Sequence, residues 1–163
     1  MTTPPSIYDI ECTDIKGNPL PLRQFAGLPL LIVNTASLCG FTYQLGDIEA
    51  LWQANQTKGL IVIGVPSNDF GQQEPGDNAK IASLCAGKFG VTFPLLSKTS
   101  VKGAEAHPLF KQLSEEAGPL GKPRWNFYKY IVGRDGHLQN WFTPLTGLAQ
   151  PRFERAIKKA VGA

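Results

Sequence analysis

The 163 residues are 42% hydrophobic and 18% charged, enough to fill one globular core over 1–163 without disulfide or metal staples. Sixteen basic against thirteen acidic residues leave a formal charge of +3, too little for nucleic-acid binding unless the cations form a stripe. The nearest thing to one is Lys122, Arg124, Lys129 and Arg134, expected to be a solvated face that could attract anionic headgroups. Three cysteines are an odd number for a disulfide framework, and His107 and His137 lie in no zinc-type cluster. Free thiols, with no metal and no cofactor, are therefore expected. Met1 to Ser6 carries neither a basic nor an apolar segment and no apolar run is long enough to span a bilayer, which predicts a soluble, cytoplasmic chain without membrane insertion.

In chain order, Ile7 to Cys12 reads as a short strand before the turn Lys16-Gly17-Asn18-Pro19. Leu28 to Asn34 is apolar on both faces, as a central strand covered by helices should be. A helix follows from about Tyr43 to Thr57, with Gly59 past its end, and Leu60 to Pro66 is a second buried strand. That βαβ unit requires parallel strands and gathers its loops at their carboxyl ends. Asp77 to Lys88 is a capped helix, Val91 to Leu95 an extended piece, and His107 to Glu116 a third helix. Phe127 to Val132 and Leu138 to Phe142 are strands joined at Arg134-Asp135-Gly136. A last helix starts near Pro151 and buries Phe153, Ala156, Ile157, Ala160 and Val161. The order resembles the thioredoxin-like α/β arrangement, a central mixed sheet flanked by helices.

Cys39 stands out because a buried strand delivers it into Asn34-Thr35-Ala36-Ser37-Leu38-Cys39-Gly40-Phe41-Thr42, just ahead of a helix. Unpaired backbone N–H groups at such a turn favour the thiolate, which is the nucleophile. Read alone, the residue is equally a small buried apolar side chain.

Four segments resemble the glutathione peroxidase family: Asn34 to Thr42, Gly64-Val65-Pro66-Ser67-Asn68-Asp69-Phe70-Gly71-Gln72-Gln73-Glu74-Pro75-Gly76, Val91-Thr92-Phe93-Pro94, and Trp125-Asn126-Phe127. They span most of the chain in the family's order. The resemblance implies that Cys39 attacks the O–O bond of a hydroperoxide and becomes a sulfenic acid, with Gln73, Trp125 and Asn126 around the sulfur. Amide and indole N–H groups do not titrate near neutrality, so they can stabilise a thiolate and a departing oxygen without an acid–base residue.

Cys85 resembles the resolving cysteine of thioredoxin-dependent members, which implies a Cys39–Cys85 disulfide reduced by thioredoxin. Its helix would have to unwind locally, and Gly87 eases that. Cys12 matches no motif and is expected to pack in the first hairpin. Ser67 and Asp69 stand where the family commonly has Cys and Gln, and Leu38 removes a positive charge often found beside the reactive cysteine. The short stretch from Leu113 to Trp125 resembles monomeric members with open sites, which admit lipid hydroperoxides beside hydrogen peroxide. The rival readings are a sensor or relay that oxidises a protein partner, and a peroxidase that uses glutathione directly. A general disulfide oxidoreductase is disfavoured because Thr42 breaks a Cys-x-x-Cys motif.

Overall fold

The computed structural model describes residues 5–162. Strand β3, Leu30–Thr35, is buried at all six positions, as a strand covered on both faces must be. It pairs parallel with β4, Ile61–Pro66, and antiparallel with β5, Lys129–Val132. Strand β6, Leu138–Phe142, pairs antiparallel with β5 and completes the order β4-β3-β5-β6. Helix α1, Gln44–Asn55, links the parallel pair, and α4, Pro151–Val161, follows the antiparallel pair. This is the thioredoxin-like arrangement expected from the element order.

Alternate strand residues bury the two faces separately. Leu31, Val33 and Ile131 pack in a cluster with Leu45 and Ile48 of α1, Ile81 of α2 (Asn78–Phe89), and Phe153 and Ile157 of α4. Leu30, Ile32 and Tyr130 pack with Leu109, Phe110 and Leu113 of α3, Pro108–Ala117. Helix α4 buries the five residues its periodicity marks. Helix α2 docks lightly, since Ile81 and Cys85 are its buried residues out of twelve.

One extended segment differs from expectation. Ile7–Asp9 is a 3₁₀ turn rather than strand, because Ser6 and Asp9 form a reciprocal capping box. That shortens β1 to Glu11–Thr13, which pairs with β2, Pro19–Pro21, in a small separate hairpin. Cys12 is buried there, and burial, followed by the charge of Glu11, pushes its thiol up to about 12. Val91 to Leu95 is extended but forms no ladder, meeting β4 in a single bridge between Leu95 and Gly64. A side chain holds it instead: the buried Glu49 carboxylate of α1 accepts from Thr92 N (2.7 Å), Thr92 Oγ1 (2.6 Å) and Phe93 N (3.3 Å). A Cβ on Gly64 would lie 2.6 Å from Leu95 Cδ2, so the close approach needs glycine.

The expected basic stripe does not exist. Lys129 is fully buried at the start of β5, where Nζ donates to the carbonyls of Phe127 (3.2 Å) and Thr143 (3.4 Å). Arg134 lies past the other end of β5 and donates to the carbonyls of Gly27, Lys58 and Val161. The buried strand pattern took Lys129 inward because its ammonium could reach two carbonyls at the sheet end.

Burial lowers the Lys129 pKa to about 8, so between pH 8 and the ordinary value of 10.5 the unfolded chain binds more protons. The lysine's contribution to stability therefore rises with pH through that window. Urea stabilities of wild type minus Lys129→Met are expected to climb there, by up to about 1.4 kcal/mol per pH unit. A flat difference would show that Lys129 ionises as an exposed lysine does.

Candidate active site

Strands β3 and β4 end in register, Asn34 opposite Val65 and Thr35 opposite Pro66, and Ser67 N continues the pairing onto Thr35 O at 3.1 Å. The chain after each strand therefore emerges at one edge of the sheet. After β3 it winds through tight turns, with Thr42 N on Cys39 O (3.0 Å), Gln44 N on Phe41 O (2.9 Å) and Leu45 N on Thr42 O (3.0 Å). Thr42 Oγ1 closes this loop onto Ala36 O at 2.7 Å.

Cys39 stands inside that run of turns rather than in the first turn of α1, which begins at Gln44. Its Sγ accepts from the backbone N–H of Phe41 at 3.4 Å, and the residue is 8% exposed. The donor aimed at the sulfur is thus a turn amide two residues on, which strengthens when the sulfur is anionic.

The segment after β4 comes back over this loop. Gly71 and Gln72 are both left-handed, with φ of 64° and 52°. A Cβ on Gly71 would lie 2.9 Å from Trp125 Cη2, so glycine lets the indole lie against the backbone. Gln73 then makes two bonds in different directions. Its carbonyl accepts from Leu38 N, beside Cys39, at 3.0 Å, and its Oε1 accepts from Asn126 Nδ2, also at 3.0 Å.

The third segment is pinned by Asn34 at the end of β3. Asn34 Nδ2 donates to Trp125 O at 2.9 Å, and Asn34 O accepts from Phe127 N at 2.6 Å. Phe127 has φ of 65°, rare for a bulky residue, and β5 consequently starts at Lys129 rather than at Phe127 as expected. Asn126 is fully buried; Trp125 is half-buried, tilted against Phe70 at 6.3 Å between ring centroids. Gln73, Trp125 and Asn126, distant in sequence, are thus tied to the loop and strand that carry Cys39.

Comparison with known proteins shows the family. The family model for glutathione peroxidase matches residues 7–114. The glutathione peroxidase-like peroxiredoxin 2 of Saccharomyces cerevisiae is 43% identical over 90% of this chain and 91% of its own length. The hydroperoxy fatty acid reductase gpx1 of Synechocystis is 44% identical over 82% and 83%. A crystal structure of Trgpx in apo form superposes with a TM-score of 0.77 at 34% identity, covering 97% of both chains.

The chain belongs to the glutathione peroxidase family. It is a thiol peroxidase, an enzyme that reduces hydroperoxides.

Two features of this peroxidase lie beyond the four motif segments' expected roles. Cys85, on α2, is free like Cys39 and buried in the same apolar cluster. Burial, and then the negative charge of Glu74, push its thiol up to about 11. Glu74 itself is 1% exposed, and burial raises its carboxyl against the lowering effects of hydrogen bonding from Ser37 and the charge of Lys98. Nothing in the sequence marked that carboxylate apart from its place after Gln73.

The cations that do gather line a groove of about 570 Å³ between α3 and the segment leading to Trp125. Lys102, Lys111, Lys122 and Arg124 border it against a single carboxylate, Glu115, with Phe110 among its walls. Lys102 Nζ also lies 5.0 Å above the Phe70 ring that packs on Trp125. The sequence missed this groove because Lys102 and Lys111 come from different parts of the chain from Lys122 and Arg124.

Replacing Asn34 by Ala removes the donor to Trp125 O at a buried site. Thermal or urea unfolding is expected to show a loss of about 1–3 kcal/mol, together with slower peroxide reduction as the turn at Trp125 relaxes. Unchanged stability and rate would mean that the turn holds itself.

Proposed function

We propose that Cys39 is the peroxidatic nucleophile, that Gln73, Trp125 and Asn126 are its partners in catalysis, and that Cys85 resolves the oxidised enzyme for reduction by thioredoxin. The Cys39 thiolate attacks the terminal oxygen of ROOH; the O–O bond breaks, sulfenic acid forms, and the departing alkoxide takes a proton to leave as alcohol. The observation that carries this reading is the pair of ties from Gln73, one to the Cys39 loop and one to Asn126. With Asn126 Nδ2 donating to Gln73 Oε1, the Gln73 amide NH₂ is left as a donor for the reacting oxygen.

The Cys85 thiol then attacks the Cys39 sulfenic sulfur, a disulfide forms, and water is released. Exchange with a dithiol of thioredoxin restores both thiols. Placement of both free cysteines in one apolar cluster supports the pairing, and the light docking of α2 supports the movement it needs. Among the described residues, no helix is long and apolar enough to cross a membrane. We read the chain as one domain acting as a cytoplasmic monomer. The cationic groove suits organic hydroperoxides that carry an anionic group, such as fatty-acid hydroperoxides, besides hydrogen peroxide.

NADPH consumption with thioredoxin, its reductase and an organic hydroperoxide tests the cycle. Wild type is expected to turn over, and both Cys39→Ser and Cys85→Ser to lose at least about 100-fold. Turnover that survives Cys85→Ser, or that runs as well with glutathione and its reductase, would overturn the resolving role and the choice of reductant.

A further inference from the structure

Gln73 and Glu74 are neighbours on the segment that covers the Cys39 loop, and their side chains serve different regions. The Gln73 amide bonds to Asn126. The Glu74 carboxylate lies against Ser37 and borders a cavity of about 230 Å³ between the Cys39 loop and α2. Ser37 and Leu38 line one wall of that cavity, and Ile81 and Leu84 of α2 line another. Ile81 and Cys85 share one face of α2, a single turn apart.

The carboxylate is poorly matched where it sits. It is 1% exposed, and its Oε2 has no hydrogen-bond partner. The charged or titratable groups around it are Lys98, whose Nζ donates to Glu74 O (3.2 Å) and Gly76 O (2.7 Å), Lys80 on the cavity wall, and Cys85. A buried carboxylate with an unused oxygen, on a cavity between the Cys39 loop and the helix that carries Cys85, is a proton acceptor awaiting a donor.

We propose that Glu74 is the proton acceptor for the Cys85 thiol in the resolving step. This rests on the reading of Cys85 as the resolving cysteine. Glu74 takes the proton from Cys85, the Cys85 thiolate forms the S–S bond with the Cys39 sulfenic sulfur, and the S–O bond breaks. The hydroxide that departs takes the proton back from the Glu74 carboxylic acid and leaves as water, so Glu74 ends as it began. Burial raises the Glu74 carboxyl, which makes it a stronger base than an exposed glutamate, and pushes the Cys85 thiol up to about 11, so the thiol needs an acceptor to ionise near neutral pH.

Reduced enzyme mixed with one equivalent of hydrogen peroxide tests this, following disulfide by mass spectrometry and sulfenic acid by dimedone capture across pH 5 to 10. Glu74→Gln is expected to slow disulfide formation about 100-fold at neutral pH and to accumulate dimedone-reactive Cys39. Its remaining rate should climb with pH as the Cys85 thiol ionises unaided, whereas the wild-type rate reaches a plateau well below the thiol's own value of about 11. Glu74→Asp should restore part of the rate and the plateau, which a purely structural role would not do. Disulfide formed by Glu74→Gln at the wild-type rate with the wild-type profile would overturn the proposal while leaving Cys85 in place. A wild-type rate that climbs in proportion to hydroxide towards pH 10 would overturn it without any variant. Failure of Cys85 itself shows differently, as full thioredoxin-supported turnover by Cys85→Ser.

Discussion

The site hangs on Asn34, a buried residue at the end of the central strand that uses its side-chain amide on Trp125 and its carbonyl on Phe127. Those two bonds hold Asn126 between them and carry the chain through a left-handed residue at Phe127. Such a conformation in a bulky residue costs about 1–3 kcal/mol and persists where surrounding contacts over-determine it. The Lys129 ammonium adds a third restraint on the Phe127 carbonyl, from inside the sheet. A charged group buried without a carboxylate partner is costly too, and both costs fall on the turn that presents Trp125 and Asn126.

From that anchor the site extends by short links. Asn126 holds the Gln73 side chain, and the Gln73 backbone holds Leu38 beside Cys39, so a shift at any one would be felt at the sulfur. Buried oxygens without a partner include Asn34 Oδ1, Thr35 Oγ1, Glu74 Oε2 and Asn126 Oδ1, all at this end of the sheet. Gln44 Oε1 and Trp52 Nε1 of α1 are the other two unpartnered buried side-chain atoms among the described residues, so four of the six lie around the candidate site.

The sheet and its helices were legible because buried strands and amphipathic helices write their period into the sequence, as β3, β4 and α4 do. The family motifs named Gln73, Trp125 and Asn126, but periodicity could not say how three distant segments meet. Lys129 shows the limit most plainly: among aromatic and aliphatic residues it read as one cation of a surface stripe, and its two carbonyl partners are set by tertiary structure. Phe127 misled in the same way, since a β-former was placed in the strand while the bond to Asn34 took it out. The helix after Cys39 starts within one residue of where its period begins, but the run of turns between β3 and that helix has no periodicity to read, so the amide that meets the sulfur was not legible.

The two chemical steps ask opposite things of the protein, and the fold divides them between its parts. Attack on peroxide needs donors fixed within tenths of an ångström, and the strand ends supply that rigidity. In the proposed cycle, resolution needs two buried thiols to meet, so α2 must yield while β3 and the turn at Trp125 hold. Its ends are well defined, by the Asp77 cap on Lys80 N and the left-handed Gly90, but its fully buried residues are Ile81 and Cys85, with Phe89 of the last turn packed partly against the core. Exposing one isoleucine side chain costs about 1.5–3 kcal/mol, within reach of local opening that leaves the sheet intact. The cavity between α2 and the Cys39 loop already provides space for that movement, and Glu74 sits on its wall.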